Sequence, residues 1–304
     1  MLEALTIVGP TAAGKSGLAM RIAPDLGGEI INADALQVYR GLDIGTAKAS
    51  VADRERIGHH MLDVADPEER FSAGAFARMA RAVIEALTSA GKLPILVGGS
   101  GLYLKALLEG ITEIPEVPDR VRRRLLGRLE TEGLRALRTD LQRLDTATAA
   151  RLAPGDTQRV LRALEVVIGT GRPLSEWIAE KPPRKQEIQA RKIGLTLSRG
   201  LLYDRIRARV ESMLEGGWLH EVESLLNRGY SGEEPAFQAI GYRQLVRHLR
   251  GESSLEEAVD ETVRSTRRYA KRQLTWFRAD AGIAWFDASD ADALESEVRS
   301  WLVK

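Results

Sequence analysis

Leu5 to Val8 is an uninterrupted apolar run of strand-forming residues, and after a glycine-rich turn the apolar positions Leu18, Ala19, Ile22 and Ala23 recur at helical spacing. The order strand, loop, helix follows. It repeats: residues 28–33 (GEIINA) read as a short strand, and 71–90 as a helix opened by Ser72. Leu93 to Val97 reads as a third strand that ends in Gly98-Gly99-Ser100-Gly101, with Leu102 to Leu108 helical behind it. Strands alternating with helices predict a mostly parallel sheet covered on both faces. Beyond Pro115 and Pro118 the pattern changes. From Asp119 to about Ala153 the apolar residues Val121, Leu125, Leu129, Leu134, Leu137, Leu141 and Leu144 sit three and four apart among many arginines, which predicts short helices. Thr157 to Ile168 reads as a further helix, 181–185 (KPPRK) as a loop, and Ile193 to Leu197 as one more core strand. The stretch 201–304 is mainly helical, with Ala284-Trp285-Phe286 a last short strand.

The fold class expected is therefore α/β: a core with a mostly parallel sheet, a helical insertion and a mainly helical C-terminal region. The boundaries expected are 1–115 for the first part of the core, 116–156 for the insertion, and 157–304 for the remainder of the core with the C-terminal helices. A chain of 304 residues with 44% hydrophobic and 29% charged residues has the material for a sizeable core plus an elaboration. Lys+Arg 44 against Asp+Glu 43 gives a formal charge of +1, so a polyanionic partner must be argued from local clusters. The absence of cysteine excludes disulfides, thiolate catalysis and cysteine-based zinc sites. The opening MLEALTIVG has no basic region and too short an apolar run for a targeting or membrane-spanning segment, so a cytoplasmic protein without a membrane partner is expected.

Gly9-Pro10-Thr11-Ala12-Ala13-Gly14-Lys15-Ser16 satisfies G-x-x-x-x-G-K-[ST] between a strand and a helix, the context this phosphate-binding loop requires. Its glycines let backbone N–H groups wrap an oxyanion, the helix presents its positive end, Lys15 neutralises charge, and Ser16 is placed to hold Mg²⁺. The same loop is the mark of nucleotide binding, ATP included. In a hydrolysing NTPase a second apolar strand normally ends in an acidic residue for the metal. Here Ile95-Leu96-Val97 runs into Gly98-Gly99-Ser100, a hydroxyl without a carboxylate. Motor and GTPase readings are weakened accordingly. The nearest strand-end carboxylate is Asp34, after Ile30-Ile31-Asn32-Ala33, at the sheet edge where ligands of such folds lie, which makes it a candidate base or metal ligand.

Read together, these residues resemble the bacterial tRNA dimethylallyltransferase (tRNA isopentenyltransferase) family, whose core is P-loop NTPase-like. The resemblance continues through NADALQVYRGLDIGTAK (32–48), HHMLDVADP (59–67), LVGGSGLYLKALLEG (96–110), DTQRVLRALEV (156–166), LYDRIRARV (202–210), AIGYRQL (239–245) and RYAKRQLTWFR (268–278), nearly the whole chain in order. It departs twice, with Ala35 where the family usually has serine and Ser100 where it usually has threonine. What the resemblance implies is transfer of a dimethylallyl group from dimethylallyl diphosphate to N6 of adenosine-37, beside the anticodon, with release of diphosphate. Asp34 would then be the base, Ser100 a hydroxyl in the catalytic site, and Gly9 to Ser16 with Arg209 the diphosphate site. Arg205 lies four residues before Arg209, hence on the same helix face.

For tRNA the resemblance implicates Asp34, Ala35, Leu36, Gln37, Ser100, Arg122, Gln158, Arg159, Val160, Leu161 and Arg162. Local charge supports an RNA partner: five arginines stand between Arg120 and Arg128, and Arg264, Arg267, Arg268, Lys271, Arg272 and Arg278 crowd the C-terminal region. The insertion is read as a tRNA clamp. His59 and His60 are read as structural, since an adjacent pair has no ligand spacing, and the five tryptophans as packing residues. Rival readings are a P-loop nucleoside kinase, a non-catalytic RNA-binding switch and an enzyme that prenylates free AMP; nothing in the chain demands a dimer, so a monomer is expected.

Overall fold

The computed structural model describes residues 2–182 and 187–303. Two compact units are present, Met1–Leu108 with Gln186–Lys304, and Glu109–Lys185. The first runs β1 (Leu2–Val8), α1 (Lys15–Ile22), β2 (Gly28–Asn32), α2 (Val51–Arg56), β3 (His59–His60), α3 (Ala73–Ser89), β4 (Leu93–Val97) and α4 (Gly101–Leu108). The second holds α5 (Asp119–Leu144), α6 (Thr146–Arg151), α7 (Thr157–Thr170) and α8 (Leu174–Glu180). The first unit resumes with β5 (Ile188–Thr196), α9 (Arg199–Glu215), α10 (Trp218–Asn227), α11 (Tyr242–Leu249), α12 (Leu255–Arg278), β6 (Ile283–Asp287) and α13 (Ala291–Val303), with a single 3₁₀ turn at Pro235–Gln238 before α11.

Among the described residues the sheet has six strands in the order β3-β2-β4-β1-β5-β6, every neighbouring pair parallel. The connections after β1 and β2 step one way along the sheet and those after β3, β4 and β5 step the other. Because such crossovers are right-handed, α1 falls on one face and α3 and α4 on the opposite one. Accordingly α13 packs with α1 and α4 with α3. The reversal falls between β1 and β4, and the crevice beyond their carboxyl ends is where a ligand belongs. Leu5, Ile7, Ile31, Ile95, Leu96, Ile193 and Leu195 are buried from both faces, the reason these strands read as continuous apolar runs.

Three differences from the sequence reading have physical causes. β5 begins at Ile188 rather than 193, because its first half carries Gln189, Arg191 and Lys192 on a partly exposed stretch and lacks an apolar run. β3 is two residues long, too short to show any period. The insertion is larger than 116–156: α7 belongs to it, since Val160, Leu161, Leu164 and Val167 pack with Leu125, Leu137 and Leu141 of α5 in a separate apolar core. The long span of α5 is broken at Gly133, whose φ of 77° and ψ of 169° interrupt the helix. Pro183 to Lys185 of the expected loop lie outside the described residues.

Candidate active site

β1 delivers the chain into the loop 9–16 at the crevice. Gly9 has φ 141°, and a Cβ there would stand 2.7 Å from the Leu195 carbonyl oxygen on β5, so only glycine lets the loop leave the sheet this closely. Gly14 caps α1 at φ 90°. Lys15 Nζ donates to the Pro10 carbonyl at 2.8 Å, folded back along its own loop. Thr11 N–H donates to Gln273 Oε1 at 2.8 Å, and Gln273 Nε2 donates to the Gly99 carbonyl at 3.0 Å. A buried side chain of α12 thus ties the phosphate loop to the Gly98–Ser100 turn after β4. The fit leaves no room: a Cβ on Gly99 would lie 1.9 Å from Gln273 Nε2.

Asp34 follows β2. Its N–H donates to Asn32 Oδ1 at 3.2 Å and its Oδ1 accepts from Leu36 N–H at 2.8 Å, which leaves the second carboxylate oxygen for the crevice. The loop that continues to Lys48 is held from elsewhere in the chain. Glu221 of α10 accepts from the N–H groups of Asp43 at 2.8 Å, Ile44 at 2.7 Å and Gly45 at 3.2 Å, and from the Tyr242 hydroxyl at 2.6 Å. Lys48, whose side chain is 1% exposed, donates to the Tyr39 carbonyl and pairs with Asp43 and Asp63 at 2.6 Å each. Burial pushes the Asp63 carboxyl up, but hydrogen bonds from Lys48 and Arg54 hold it below the usual range. Gln37 Nε2 donates to the carbonyls of Thr46 and Ala47, and Arg209 of α9 donates to Thr46 O at 3.4 Å.

These parts enclose one cavity of about 290 Å³, lined by Thr11, Ala12, Gly14, Lys15, Ser16, Asp34, Gln37, Gly98 and Arg209, with Met20, Ile30, Leu62 and Val97 as apolar wall. Burial first, and then the neighbouring Arg209, lower the Lys15 ammonium to about 8, while Asp34 acts in the opposite sense. Burial likewise lowers Arg209, again against Asp34. Two cations short of counter-charge facing one carboxylate make a site that gains from an incoming polyanion.

Of the residues expected at the site, Thr11, Ala12, Gly14, Lys15, Ser16, Asp34, Gln37 and Arg209 line one cavity, while Gly9, Pro10 and Ala13 do not line it. Ser100 directly precedes α4, its N–H donating to the Ala33 carbonyl at 3.2 Å beside Asp34. Arg205 instead donates to the Ser289 carbonyl at 3.3 Å and does not line the cavity. His60 pairs with Glu29 at 2.6 Å, as a structural residue would. His59 does more than pack: it lines the cavity, its Nδ1 is 2.7 Å from the Ile57 carbonyl, and burial lowers its imidazole. Gln273, Glu221 and Lys48 are not singled out by the sequence, although Lys48 and Gln273 stand inside matched segments; their polar groups work through partners that the sequence does not name.

On the second unit Gln158, Arg159 and Arg162 are exposed on α7, but Val160 and Leu161 are buried in that unit's core and offer no side chain to an RNA. Arg122 is tied inward as well. It pairs with Glu165 at 2.5 Å, and Glu165 is 4% exposed. Arg122→Ala is therefore expected to destabilise the protein by an amount near the lower end of the ~3–5 kcal/mol that removing one partner of a buried pair costs, since Arg162 still reaches Glu165 at 3.5 Å. Chemical unfolding of the variant checks this, and an unchanged midpoint would show that Glu165 finds its counter-charge elsewhere.

A parallel sheet with its phosphate loop at the point of strand reversal and the Asp34 carboxylate in the same cavity define a P-loop α/β protein. The sequence model of the IPP transferase family matches residues 37–280, and the chain belongs to that family. It is 49% identical over 298 residues to the tRNA dimethylallyltransferase of Syntrophobacter fumaroxidans, covering 98% of this chain and 87% of that one. Among solved structures, the full-length tRNA isopentenylpyrophosphate transferase of Bacillus halodurans matches with a TM-score of 0.73 at 38% identity, over 100% of this chain and 96% of that one. A eukaryotic dimethylallyltransferase acting on tRNA matches with a TM-score of 0.80 at 27% identity, over 100% of this chain and 78% of that one. No helix among the described residues is long and apolar enough to cross a membrane.

Proposed function

We propose that this protein is a tRNA dimethylallyltransferase that moves the dimethylallyl group of dimethylallyl diphosphate onto N6 of adenosine-37 in the anticodon stem-loop. The observation that carries the reading is the cavity that Lys15, Ser16, Asp34 and Arg209 line together. The loop amides of 9–16, Lys15 and Arg209 hold the diphosphate and stabilise the charge that builds on it as the allylic C1–O bond breaks. Asp34 takes a proton from the adenine N6 amine as the N6–C1 bond forms, and diphosphate leaves. Ser100, at the same crevice, orients the amine. No hydrolytic water is needed, which accounts for a strand end at Gly98 where an NTPase would carry an acid.

The residues fit Mg²⁺ in one way. Among the described residues no group of three or more acidic or histidine side chains is arranged to hold a metal. Ser16 lines the cavity at the start of α1, so the ion would be held by this hydroxyl together with the substrate's phosphate oxygens and water, the usual habit of Mg²⁺. When bound it would supply further neutralisation of the leaving diphosphate. Arg122, Gln158, Arg159 and Arg162, with Asp34 to Gln37, belong to the RNA side of the reading, which also implies a cytoplasmic protein acting as a monomer.

Mass spectrometry of an anticodon stem-loop incubated with the protein, Mg²⁺ and dimethylallyl diphosphate tests the proposal. The expected result is a gain of one dimethylallyl unit on the target adenosine, with diphosphate released in equal amount. An unmodified stem-loop, with transfer to AMP or turnover of ATP instead, would overturn it.

A further inference from the structure

Arg209 lines the cavity from the middle of α9, and among the described residues its guanidinium has one hydrogen bond, to the Thr46 carbonyl at 3.4 Å. No carboxylate pairs with it there. An arginine side chain has many rotamers to lose, so its own helix does not settle where the charge points. That direction depends on the carbonyl.

Thr46 belongs to a tight turn over residues 43–48. The Ala47 N–H donates to the Ile44 carbonyl at 2.9 Å, the Lys48 N–H to the Asp43 carbonyl at 3.0 Å, and the Thr46 hydroxyl to the Leu42 carbonyl at 2.7 Å. Ala47 has φ 49°, a left-handed conformation that a residue other than glycine keeps only where its surroundings hold it. Those surroundings come from α10. At one end of the turn the successive N–H groups of Asp43, Ile44 and Gly45 converge on the Glu221 carboxylate, which the Tyr242 hydroxyl also meets. Gly45 rests on the ring of Trp218, less than one turn before Glu221, where a Cβ would lie 1.9 Å from Nε1. At the other end the carbonyls of Thr46 and Ala47 accept from Gln37, and that of Thr46 from Arg209. Four donors thus fill the four lone pairs of one carboxylate, and the peptide dipoles of the turn lie between that negative charge and the Arg209 cation.

We infer that Glu221, which does not line the cavity, is a positioning residue for the diphosphate: by fixing the turn 43–48 it sets the Thr46 carbonyl that aims Arg209. The inference rests on the reading of the cavity as a diphosphate site and adds to it the residue that directs one of its cations. Glutamine at 221 could still accept from Asp43 and Ile44 through its one oxygen. Its amino group would then face the Gly45 N–H, donor against donor, and that end of the turn would come loose. Arg209 would keep its charge and lose its direction.

A double-mutant cycle read by calorimetric titration of the full chain with inorganic diphosphate tests this. Arg209→Ala is expected to weaken binding roughly 10- to 100-fold, the range for loss of a hydrogen bond to a charged group. Glu221→Gln should weaken it roughly 3- to 30-fold, within the range for coupled neighbours, and kcat/KM for dimethylallyl diphosphate should fall in step. In the Arg209→Ala background the Glu221→Gln loss should shrink to within about 2-fold, because no guanidinium is left to aim. Tyr242→Phe takes one donor from the same carboxylate and keeps the ring, so it should show a smaller loss that also disappears without Arg209; it runs the cycle even if Glu221→Gln does not fold. Losses that multiply in the double variants, or variants at 221 and 242 that bind diphosphate as the parent does, refute the positioning role. A parent that binds diphosphate but prenylates no stem-loop refutes the tRNA reading and leaves the cycle to decide the role of Glu221. A parent that binds no diphosphate refutes the reading of the cavity and this inference with it.

Discussion

Replacing Asp34 by asparagine is expected to slow single-turnover prenyl transfer by roughly 10²–10⁴, the usual contribution of a positioned general base, with tRNA affinity held within severalfold. The substitution is conservative in shape. Asparagine keeps an oxygen for the Leu36 N–H, which now donates to Asp34 at 2.8 Å, so the turn after β2 is retained. Only the proton acceptor is lost, together with the negative charge that opposes Lys15 and Arg209. Binding of diphosphate should accordingly stay intact or tighten, because the two cations lose their internal counter-charge. Rapid-quench measurements on preformed complexes separate chemistry from binding, and a variant with near-normal chemistry would remove Asp34 from proton transfer.

Lys15→Ala should lower kcat/KM for dimethylallyl diphosphate by roughly 10²–10³, comparable with removal of one donor from a preorganised anion site, and leave tRNA binding unchanged. A pH profile gives the sharper test. The Lys15 ammonium sits at about 8 instead of its ordinary 10.5, so the charged form that attracts diphosphate is present below about 8 and is lost as pH rises through that value. The parent's kcat/KM should fall tenfold per pH unit above about 8, whereas Lys15→Arg should be flat there. In the same window the unfolded chain binds more protons than the folded one, so folding stability rises with pH from about 8 toward 10.5 while substrate capture declines. An alkaline limb that persists in Lys15→Arg would assign the titration to another group.

How much of this was legible in the sequence depended on whether a residue's task is local. β1, β2 and β4 could be read because they are buried on both faces, and the loop 9–16 because its spacing carries its chemistry. Asp34 could be found as the carboxylate at a strand end. Position along the chain does not reveal partners far away: Glu221 reaches the Asp43 amide across 178 residues, and Arg122 looks like one more solvated arginine until Glu165 is seen beneath it. The boundary of the insertion was misplaced for a related cause, since the apolar face of α7 has the same period whichever core it joins. Trp218, 2% exposed, is a packing residue as expected, whereas Trp276 is 44% exposed.

The bond from the Thr11 amide to Gln273 spans 262 residues and bears on how the protein comes into being. A ribosome releases the phosphate loop long before the helix that braces it. β1 also waits in the middle of the sheet, with β4 on one side and β5 on the other, for a strand that follows the whole insertion. Nascent or truncated chains that stop short of residue 273 therefore carry the full loop sequence without the side chain that braces it.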